Sequence, residues 1–411
     1  MTATEQRSTT PLRRNWRFQI LWIGSTTSFL GMEAAAVGYP LVVLATTGSP
    51  AHAGLFGFVQ MLTTLLLGLP AGRVVDRCDR RRVLLFAEGV RVVAVASVAV
   101  ALAMHELTLA HLLVVAAILG GGSSLSAPAR MLIVRAVVPG EQLTTALTQE
   151  EVRNNLATLL GAPLGGLLFG LRQFLPFALS AVTFAVSWFA VLIVRVPPKE
   201  VSGKDRPGGW LDGIRTLLRN PVLRAATLVV VALNAVGAPL MLITVVVLDH
   251  QRIPPWQTGI ALSGLAIGGL LGALLVRPLH RLRPGVVLLG VLVSQVPVFA
   301  LLAVPLGPWW VLLLLAWGML GVPALGVLID VLIFRQVQDD LRGSVIAATT
   351  TIAGVGAPIG TAAAGLLLQF LVPGAALLII AALLAVAGAC AATSTGLRQA
   401  RWPGQQARSQ P

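Results

Sequence analysis

The sequence has little charge: only 11% of its 411 residues are Asp, Glu, Lys or Arg, whereas 56% are apolar. A soluble domain carries about 25% charged residues, so this composition excludes a soluble enzyme and a nucleic-acid-binding protein. The two cysteines, Cys78 and Cys390, are too few for a disulfide framework. A Walker A run is missing and the five histidines lack metal-ligand spacing, so neither ATP hydrolysis nor a metal or other cofactor is expected.

Long apolar runs take the place of charge. Stretches of about 20 apolar residues, enough to cross a bilayer, recur along nearly the whole chain. The first run is too long to be the apolar core of a cleaved signal peptide. The pattern predicts an all-α membrane protein with twelve transmembrane helices, near residues 18–44, 53–75, 82–103, 107–129, 143–170, 174–196, 223–248, 257–280, 285–305, 309–333, 343–371 and 374–395.

Basic residues indicate the orientation of these spans. If the N-terminus is cytoplasmic, the six outer loops hold only Arg172 and Arg252, while the inner loops and tails hold nearly all the remaining basic charge. Basic loops stay on the cytoplasmic side of a membrane. Both termini are therefore predicted to be cytoplasmic, in a multi-pass protein of the inner (plasma) membrane. The net charge of +14 reflects this topology rather than a nucleic-acid partner.

A polar interruption divides the chain into two sets of six spans. The predicted domains are an N-terminal six-helix half at residues 1–196, a cytoplasmic linker at 197–222, and a C-terminal six-helix half with a cytoplasmic tail at 223–411. The second part of the linker predicts an amphipathic helix on the inner membrane surface. Its apolar face comprises Trp210, Leu211, Ile214, Leu217 and Leu218.

The two halves repeat each other at an offset near 200 residues. Three segments match in register: LLGAPLGG at 159–166 with GVGAPIGT at 354–361, MLIVR ending at Arg135 with VLIFR ending at Arg335, and GRVVDR at 72–77 with GALLVR at 272–277. These matches indicate two pseudo-symmetric halves. Parallel repeats of six spans are typical of secondary transporters that work by alternating access.

Short motifs resemble those of the major facilitator superfamily, and the similarity covers essentially the whole chain. The segment GLPAGRVVDRCDRRRVLL at 68–85 resembles motif A of that family, with matching positions Gly72, Asp76, Arg77, Arg80 and Arg81. Its DRxDRRR form looks like the drug-exporter branch that holds macrolide exporters and siderophore (enterobactin-type) exporters. The run GAPLGG resembles the antiporter motif of the fifth helix, at Gly161, Pro163, Gly165 and Gly166.

The resemblance implies a role for each motif. Asp76 is expected to face the start of the eleventh helix near Gly343 and Ser344, where backbone N–H groups are unpaired. The motif A arginines then tie the second and third helices, which gives a latch on the cytoplasmic side; simple topology signalling is the alternative. The glycines and proline of the fifth helix let helices pack closely and bend during transport, and packing alone is the alternative.

Ionisable side chains inside the spans are costly unless solvated or paired, so they are candidates for function. Glu33 lies about 22 Å into the first span, has no basic neighbour in the sequence, and is predicted to carry protons. A permanently protonated Glu33 that bonds a neighbouring helix is the alternative. Asp330, about 5 Å from the inner end of the tenth span, is the second proton-coupling candidate, with a latch beside Arg335 as the alternative. Many exporters of this family carry an arginine early in the fourth helix, whereas this span offers only His111 there.

Three polar residues are predicted to contact the substrate: Arg153 and Asn154 in the fifth span, and Asn234 near the middle of the seventh. For Arg153, a structural ion pair with Glu150, one helical turn earlier, is the alternative. Glu88 and Arg91 in the third span have the same spacing and are interpreted as a structural pair.

Together these features predict a bacterial secondary transporter that exports an amphipathic small molecule, a drug or secondary metabolite, by proton antiport with alternating access. Its expected partners are the lipid bilayer, the substrate and protons, and it is expected to be a monomer. A siderophore exporter and a lysolipid flippase are alternatives within transport. A non-transporting membrane receptor or scaffold is the alternative of another class, although it needs neither the Asp76 latch nor an isolated Glu33.

Overall fold

The computed structural model describes residues 15–194, 210–279, 281–339 and 341–394, and every regular element within these ranges is a helix. The first six helices are α1 (Trp16–Thr47), α2 (Pro50–Arg77), α3 (Arg80–Ala103), α4 (Leu109–Val137), α5 (Leu143–Leu171) and α6 (Leu175–Ile193). From the linker onward come α7 (Trp210–Arg219), α8 (Pro221–Gly237), α9 (Leu240–His250), α10 (Pro255–Leu279), α11 (Pro284–Leu302), α12 (Pro308–Met319), α13 (Val322–Gln336), α14 (Arg342–Gly354), α15 (Gly356–Phe370) and α16 (Pro373–Thr393).

The prediction of an all-α fold with twelve spans is confirmed. The pairs α8–α9, α12–α13 and α14–α15 each form one interrupted span, and with them the described residues provide twelve helical units that are long and apolar enough to cross a membrane. The linker residues 195–209 and the tail residues 395–411 lie outside the described residues. The division at 1–196, 197–222 and 223–411 therefore stays a prediction.

One helix end differs from the predicted boundaries in an informative way. The sequence predicts that the fourth span ends near residue 129, but α4 continues to Val137. Arg130 stays within this helix because its guanidinium pairs with Glu88 of α3. A paired charge does not have to end an apolar span.

Short capped turns join the N-terminal helices. Ser49, Asp79 and Thr108 each precede a helix and accept a hydrogen bond from a backbone N–H of its first turn, as N-cap residues do. Pro50 follows Ser49 at the start of α2, where its missing N–H has no cost. These turns hold consecutive helices antiparallel, so helix ends alternate between two faces of the bundle.

The three interrupted spans all lie in the C-terminal half. Pro239 separates α8 from α9, Gly321 precedes α13, and Val355 separates α14 from α15. Proline removes one helical hydrogen bond, which permits such breaks. The equivalent spans α1, α4 and α5 of the N-terminal half stay continuous, although each contains one proline: Pro40, Pro128 and Pro163 respectively.

Two helix pairs make the most extensive contacts between the halves, α5 with α10 and α2 with α15. Glycines bring each pair to backbone contact, since Gly166 lies against Gly259 and Gly54 lies against Gly365. All four glycines lie towards the face at which α1 ends and α2 begins, here named the opposite face. The face at which α2 ends and α3 begins is named the basic face.

Towards the basic face the two halves separate. A cavity of about 540 Å³ lies between α2 and the α14–α15 span. A Cβ added at Gly68, Gly72 or Gly343 would meet no other atom within 4 Å. The halves therefore meet near the opposite face and part near the basic face.

The amphipathic linker helix α7 packs against α14. Gly213 lies against the backbone of Ser344 at the start of α14, and Leu217 is buried. Leu211 and Leu218 are exposed. Only part of the predicted apolar face therefore packs against the protein. The approach is close because a glycine has no Cβ to separate two backbones. The start of α14, where Asp76 is predicted to dock, thus already carries α7 on one side.

Candidate functional site

A cavity of about 320 Å³ lies between the two halves, at the depth of residues 32–40 of α1. Its volume falls in the range of small-molecule sites. Its lining from the N-terminal half is Met32, Ala35, Ala36, Tyr39, Pro40, Ala53, Phe56, Gly57, Gln60, Met61, Arg91, Leu119, Ser123, Ser180 and Phe184. Its lining from the C-terminal half is Gly237, Ala238, Met241, Leu242, Leu265 and Thr361. This central cavity is the candidate substrate site.

Aromatic packing fixes one wall of the central cavity. The Tyr39 ring stacks on Phe56 with centroids 4.6 Å apart and tilts against Phe177 at 5.0 Å. Gly38, next to Tyr39, makes room for Phe177, because a Cβ there would stand 2.9 Å from the ring. The phenol is therefore held rigidly beside the cavity.

A buried charge network lies behind this wall. The fully buried Glu88 accepts hydrogen bonds through Oε1 from Arg130 of α4 at 2.6 Å and from Arg91 at 3.5 Å. The Arg91 guanidinium also lies over the Phe184 ring, 4.1 Å from its centroid. The predicted Glu88–Arg91 pair is present, but Arg130 joins it, so two guanidinium groups share one carboxylate.

Arg153 belongs to a second buried cluster. Its guanidinium donates to Glu150 Oε1 at 3.0 Å, to Asn154 Oδ1 at 2.8 Å and to Ser25 Oγ of α1. Arg153 also borders a cleft of about 490 Å³ between α1 and α5, whose lining is otherwise largely apolar. The predicted alternative for Arg153, an ion pair with Glu150, is therefore formed.

The three predicted substrate residues do not line the central cavity. Arg153 lines the α1–α5 cleft, and Asn154 accepts a hydrogen bond from its guanidinium. Asn234 donates its amide N–H to the carbonyl of Ala353 at 2.9 Å. Ala353 lies just before the break between α14 and α15, so Asn234 supplies a hydrogen bond where the helical pattern is interrupted. Substrate contact by these residues stays a prediction.

Glu33 lies where α1 meets α5. A Cβ added at Gly161 would collide with Cβ of Glu33, so the two backbones are in close contact. Leu30, one turn before Glu33, lines the α1–α5 cleft, and Ala36, one turn after it, lines the central cavity. The half-buried Glu33 makes no ion pair with any residue that the structure describes. Glu33 thus lies between two cavities, and its role in proton coupling stays a prediction.

Asp330 is exposed on α13. It forms no ion pair with Arg335, although the two residues lie little more than one helical turn apart. The alternative of a latch formed by these two residues has no contact to support it in this conformation. Proton coupling by Asp330 stays a prediction.

The motif A residues lie at the basic face. Arg81 donates to the carbonyls of Val191 and Leu192 at the end of α6, so it ties α3 to α6 rather than to α2. The last carbonyls of a helix lack intrahelical partners, and arginine is suited to bind them. Asp76 is exposed near the end of α2, at the face towards which the halves are parted. The contact of Asp76 with the start of α14 near Gly343 and Ser344 stays a prediction.

The fifth-helix motif packs α5 against two partners. Gly161 and Gly165 face Glu33 and Ala34 of α1, and Gly166 faces α10 of the other half. Pro163 lies between them and contacts Gly259. The second half repeats this arrangement: Gly356 and Gly360 face α8, and Thr361 meets Gly57 of α2.

Two features of the site were not predicted. Arg130 lies just beyond the predicted fourth span, 107–129, although the apolar run MLIV that follows it indicates a continuing helix. Tyr39 is the only tyrosine of the chain and lies inside an apolar span. A polar hydroxyl in such a span indicates a functional role. Among the described residues, the arginine that lines the central cavity is Arg91 of α3, whereas the resemblance to the family led to the expectation of an arginine early in the fourth helix.

Comparisons with known proteins agree with this architecture. The family model described as Major Facilitator Superfamily matches residues 21–361. The chain is 30% identical to the multidrug efflux pump Tap of Mycobacterium tuberculosis over 354 residues, which cover 82% of this chain and 83% of that protein. It is 23% identical to macrolide efflux protein A of Streptococcus pyogenes, over 62% of this chain and 66% of that protein.

A solved structure matches the fold. The crystal structure of a mutant of the nucleoside transporter NupG superposes with a TM-score of 0.78 at 14% identity, over 92% of this chain and 100% of that chain. The match of the family model over most of the chain confirms the resemblance in the motifs. The chain belongs to the major facilitator superfamily and is a multi-pass membrane transporter of small molecules, not an enzyme.

Proposed function

We propose that this transporter exports amphipathic small molecules, drugs or secondary metabolites, from the cytoplasm across the plasma membrane. The cavity between the two halves is the observation that carries the proposal, because it is mostly apolar and has the size of a small-molecule site. The names of the relatives, a multidrug efflux pump and a macrolide efflux protein, favour drug export over siderophore export, lysolipid flipping and a receptor role.

Alternating access is the mechanism that we propose. The glycine contacts Gly54–Gly365 and Gly166–Gly259 hold the halves together near the opposite face, while the gap between α2 and α14–α15 separates them near the basic face. We assign the basic face to the cytoplasm, since loops rich in arginine stay on that side. In this assignment both termini are cytoplasmic and the cavity is reached from the cytoplasm.

Proton antiport is the proposed energy source. Glu33 is the main candidate for the proton-carrying group and Asp330 the second. A carboxyl group in apolar surroundings is stable only when neutral or solvated, so opening of a cavity beside Glu33 changes its tendency to hold a proton. Because Glu33 contacts Gly161, it lies against α5, the helix that packs against α10 of the other half.

Drug accumulation in everted membrane vesicles tests the proposal. Vesicles that hold an acidic lumen expose the cytoplasmic side, so a labelled macrolide added outside is expected to accumulate inside when the chain is present. Collapse of the pH gradient should abolish accumulation. Accumulation that survives this collapse would contradict proton antiport, and no accumulation across a panel of macrolides and other lipophilic drugs would contradict drug export.

A further inference from the structure

Polar groups without partners cluster on one wall of the central cavity. The hydroxyl of Tyr39, the hydroxyl of Ser180 and Nε of Arg91 are all buried and have no hydrogen-bond partner among the described residues. The three residues are 5%, 1% and 5% exposed, and all three line the cavity. A buried polar group without a partner raises the free energy of the folded state, so this wall is suited to a ligand that supplies acceptor atoms.

This wall also carries positive charge. Among the described residues, Glu88 is the only carboxylate bonded to Arg91, and its Oε1 lies 2.6 Å from Arg130 and 3.5 Å from Arg91. One carboxylate shared by two guanidinium groups leaves one positive charge unbalanced. The nearby Glu150–Arg153 pair is balanced and adds no negative charge.

No other described residue brings an opposing charge to the cavity. Its lining contains one charged side chain, Arg91, and no carboxylate. Glu33 follows Met32, a lining residue, but its Cβ faces Gly161 on the α5 side of α1. A cationic ligand in the cavity would therefore lie beside the Arg91 guanidinium and would find no carboxylate to bind.

The facing wall, from the C-terminal half, is apolar. Met241 and Leu242 of α9 and Leu265 of α10 line it. The hydroxyl of Thr361, which also borders it, already donates to Ala357. The cavity thus has a polar, donor-rich side from α1, α3 and α6 and an apolar side from the other half.

We propose that the central cavity selects acidic and neutral amphiphiles over lipophilic cations. The oxygen-bearing end of the ligand, a carboxylate most favourably and a hydroxyl or carbonyl next, binds Arg91, Tyr39 and Ser180. The apolar body lies against α9 and α10. This assignment rests on the proposed export function and names the chemical class of its substrate.

Binding of three probes with one apolar skeleton tests the assignment. 1-Pyrenebutyric acid, 1-pyrenebutanol and 1-pyrenebutylamine differ in the end group, and their binding to the purified full-length protein in lipid nanodiscs can be followed by fluorescence anisotropy. The acid is expected to bind about tenfold more tightly than the amine, the size of one charge-assisted hydrogen bond. The alcohol should fall between them. Equal or tighter binding of the amine, or failure of all three probes to bind, would overturn the assignment.

Variants identify the residues responsible. Arg91→Gln should bring the acid-to-amine ratio close to one, whereas Arg172→Gln, a change at an exposed site on the opposite face, should leave it unchanged. Because loss of Arg91 leaves Glu88 with one partner fewer and can impair folding, Tyr39→Phe and Ser180→Ala give a second test that keeps the charges. Each should weaken the binding of the acid and of the alcohol by about threefold, the value of a neutral hydrogen bond, and leave the affinity for the amine unchanged.

Binding and transport separate the two proposals. Binding of the probes requires no gradient and no transport. Drug accumulation in vesicles without the expected order of probe affinities overturns the assigned substrate class alone. The expected order without transport of any drug or probe overturns the export function and leaves the preference of the cavity established.

Discussion

The backbones of Gly54 in α2 and Gly365 in α15 lie in direct contact: a Cβ on either glycine would stand 2.8 Å from Cα of the other. This contact joins the two halves near the opposite face, and Gly166 with Gly259 forms its counterpart on the other side of the bundle. The same helix pairs carry the motifs that repeat between the halves. Movement of one half against the other therefore has to break and remake these two glycine contacts.

Gly54→Ala is expected to weaken the contact between the halves. The added methyl must displace backbone atoms of α15, at a cost of about 1–3 kcal/mol typical of overpacking, so the population should shift towards the state that is open at the opposite face. Drug transport should fall about tenfold if this penalty enters each cycle. Labelling of a cysteine placed on the cavity wall towards the opposite face should increase in parallel.

Gly170→Ala is the matched control for this change. Gly170 lies in α5 near the same face, and a Cβ there meets no atom within 4 Å. The two variants gain the same helix propensity, about 1 kcal/mol, and differ only in the contact. Equal transport by both would show that the Gly54–Gly365 contact has no part in the cycle.

Glu88→Gln is expected to destabilise the N-terminal half. It leaves the buried Arg91 and the half-buried Arg130 without their carboxylate, and breaking a buried ion pair from one side costs about 3–5 kcal/mol. Arg82→Gln is the control, because its partner Asp79 is exposed and 3.8 Å away, and such pairs contribute about 0–1 kcal/mol. Thermal unfolding in detergent should separate the two variants clearly. Similar unfolding temperatures would contradict the shared-carboxylate network.

Asp76→Asn is expected to impair transport while membrane insertion stays normal. In the closed conformation of the basic face, a carboxylate at the start of α14 gains about 1–2 kcal/mol from the helix N-terminus, and an amide loses most of this. Transport should fall about tenfold on that basis. Asp249→Asn, at an exposed position near the opposite face, should transport normally. Wild-type transport by the Asp76 variant would remove the latch from the mechanism.

The sequence predicts the fold well because apolar length and basic loops are local signals. Twelve spans follow from runs of apolar residues, and the family follows from motifs such as that of Gly72 and Asp76. Contacts across the bundle have no such signal. Arg130 and Glu88 are 42 residues apart and meet only when α4 packs on α3, so the fourth span was predicted too short.

The contacts of the candidate site likewise have no local signal in the sequence. Glu33 stands out in sequence as an acidic residue in an apolar span, but its contact with Gly161 depends on how α1 packs on α5. Asn234 reads as a candidate substrate contact, yet its amide bonds a carbonyl next to a helix break, and that break is not evident from the sequence. That Tyr39 and Ser180 lie on one wall of the cavity follows only from the packing of α1 and α6.

Proton release driven by drug is the measurement that tests the account most directly. Everted vesicles are energised to an acidic lumen, the gradient is read by quenching of an acridine dye, and a macrolide is added outside. The wild-type chain is expected to restore fluorescence as protons leave in exchange for drug, and Glu33→Gln is expected to abolish this response. Glu106 is exposed near the opposite face, and the Glu106→Gln variant should respond as the wild type does. A full response from the Glu33 variant would exclude Glu33 as the proton carrier, and drug accumulation without any proton release would contradict antiport itself.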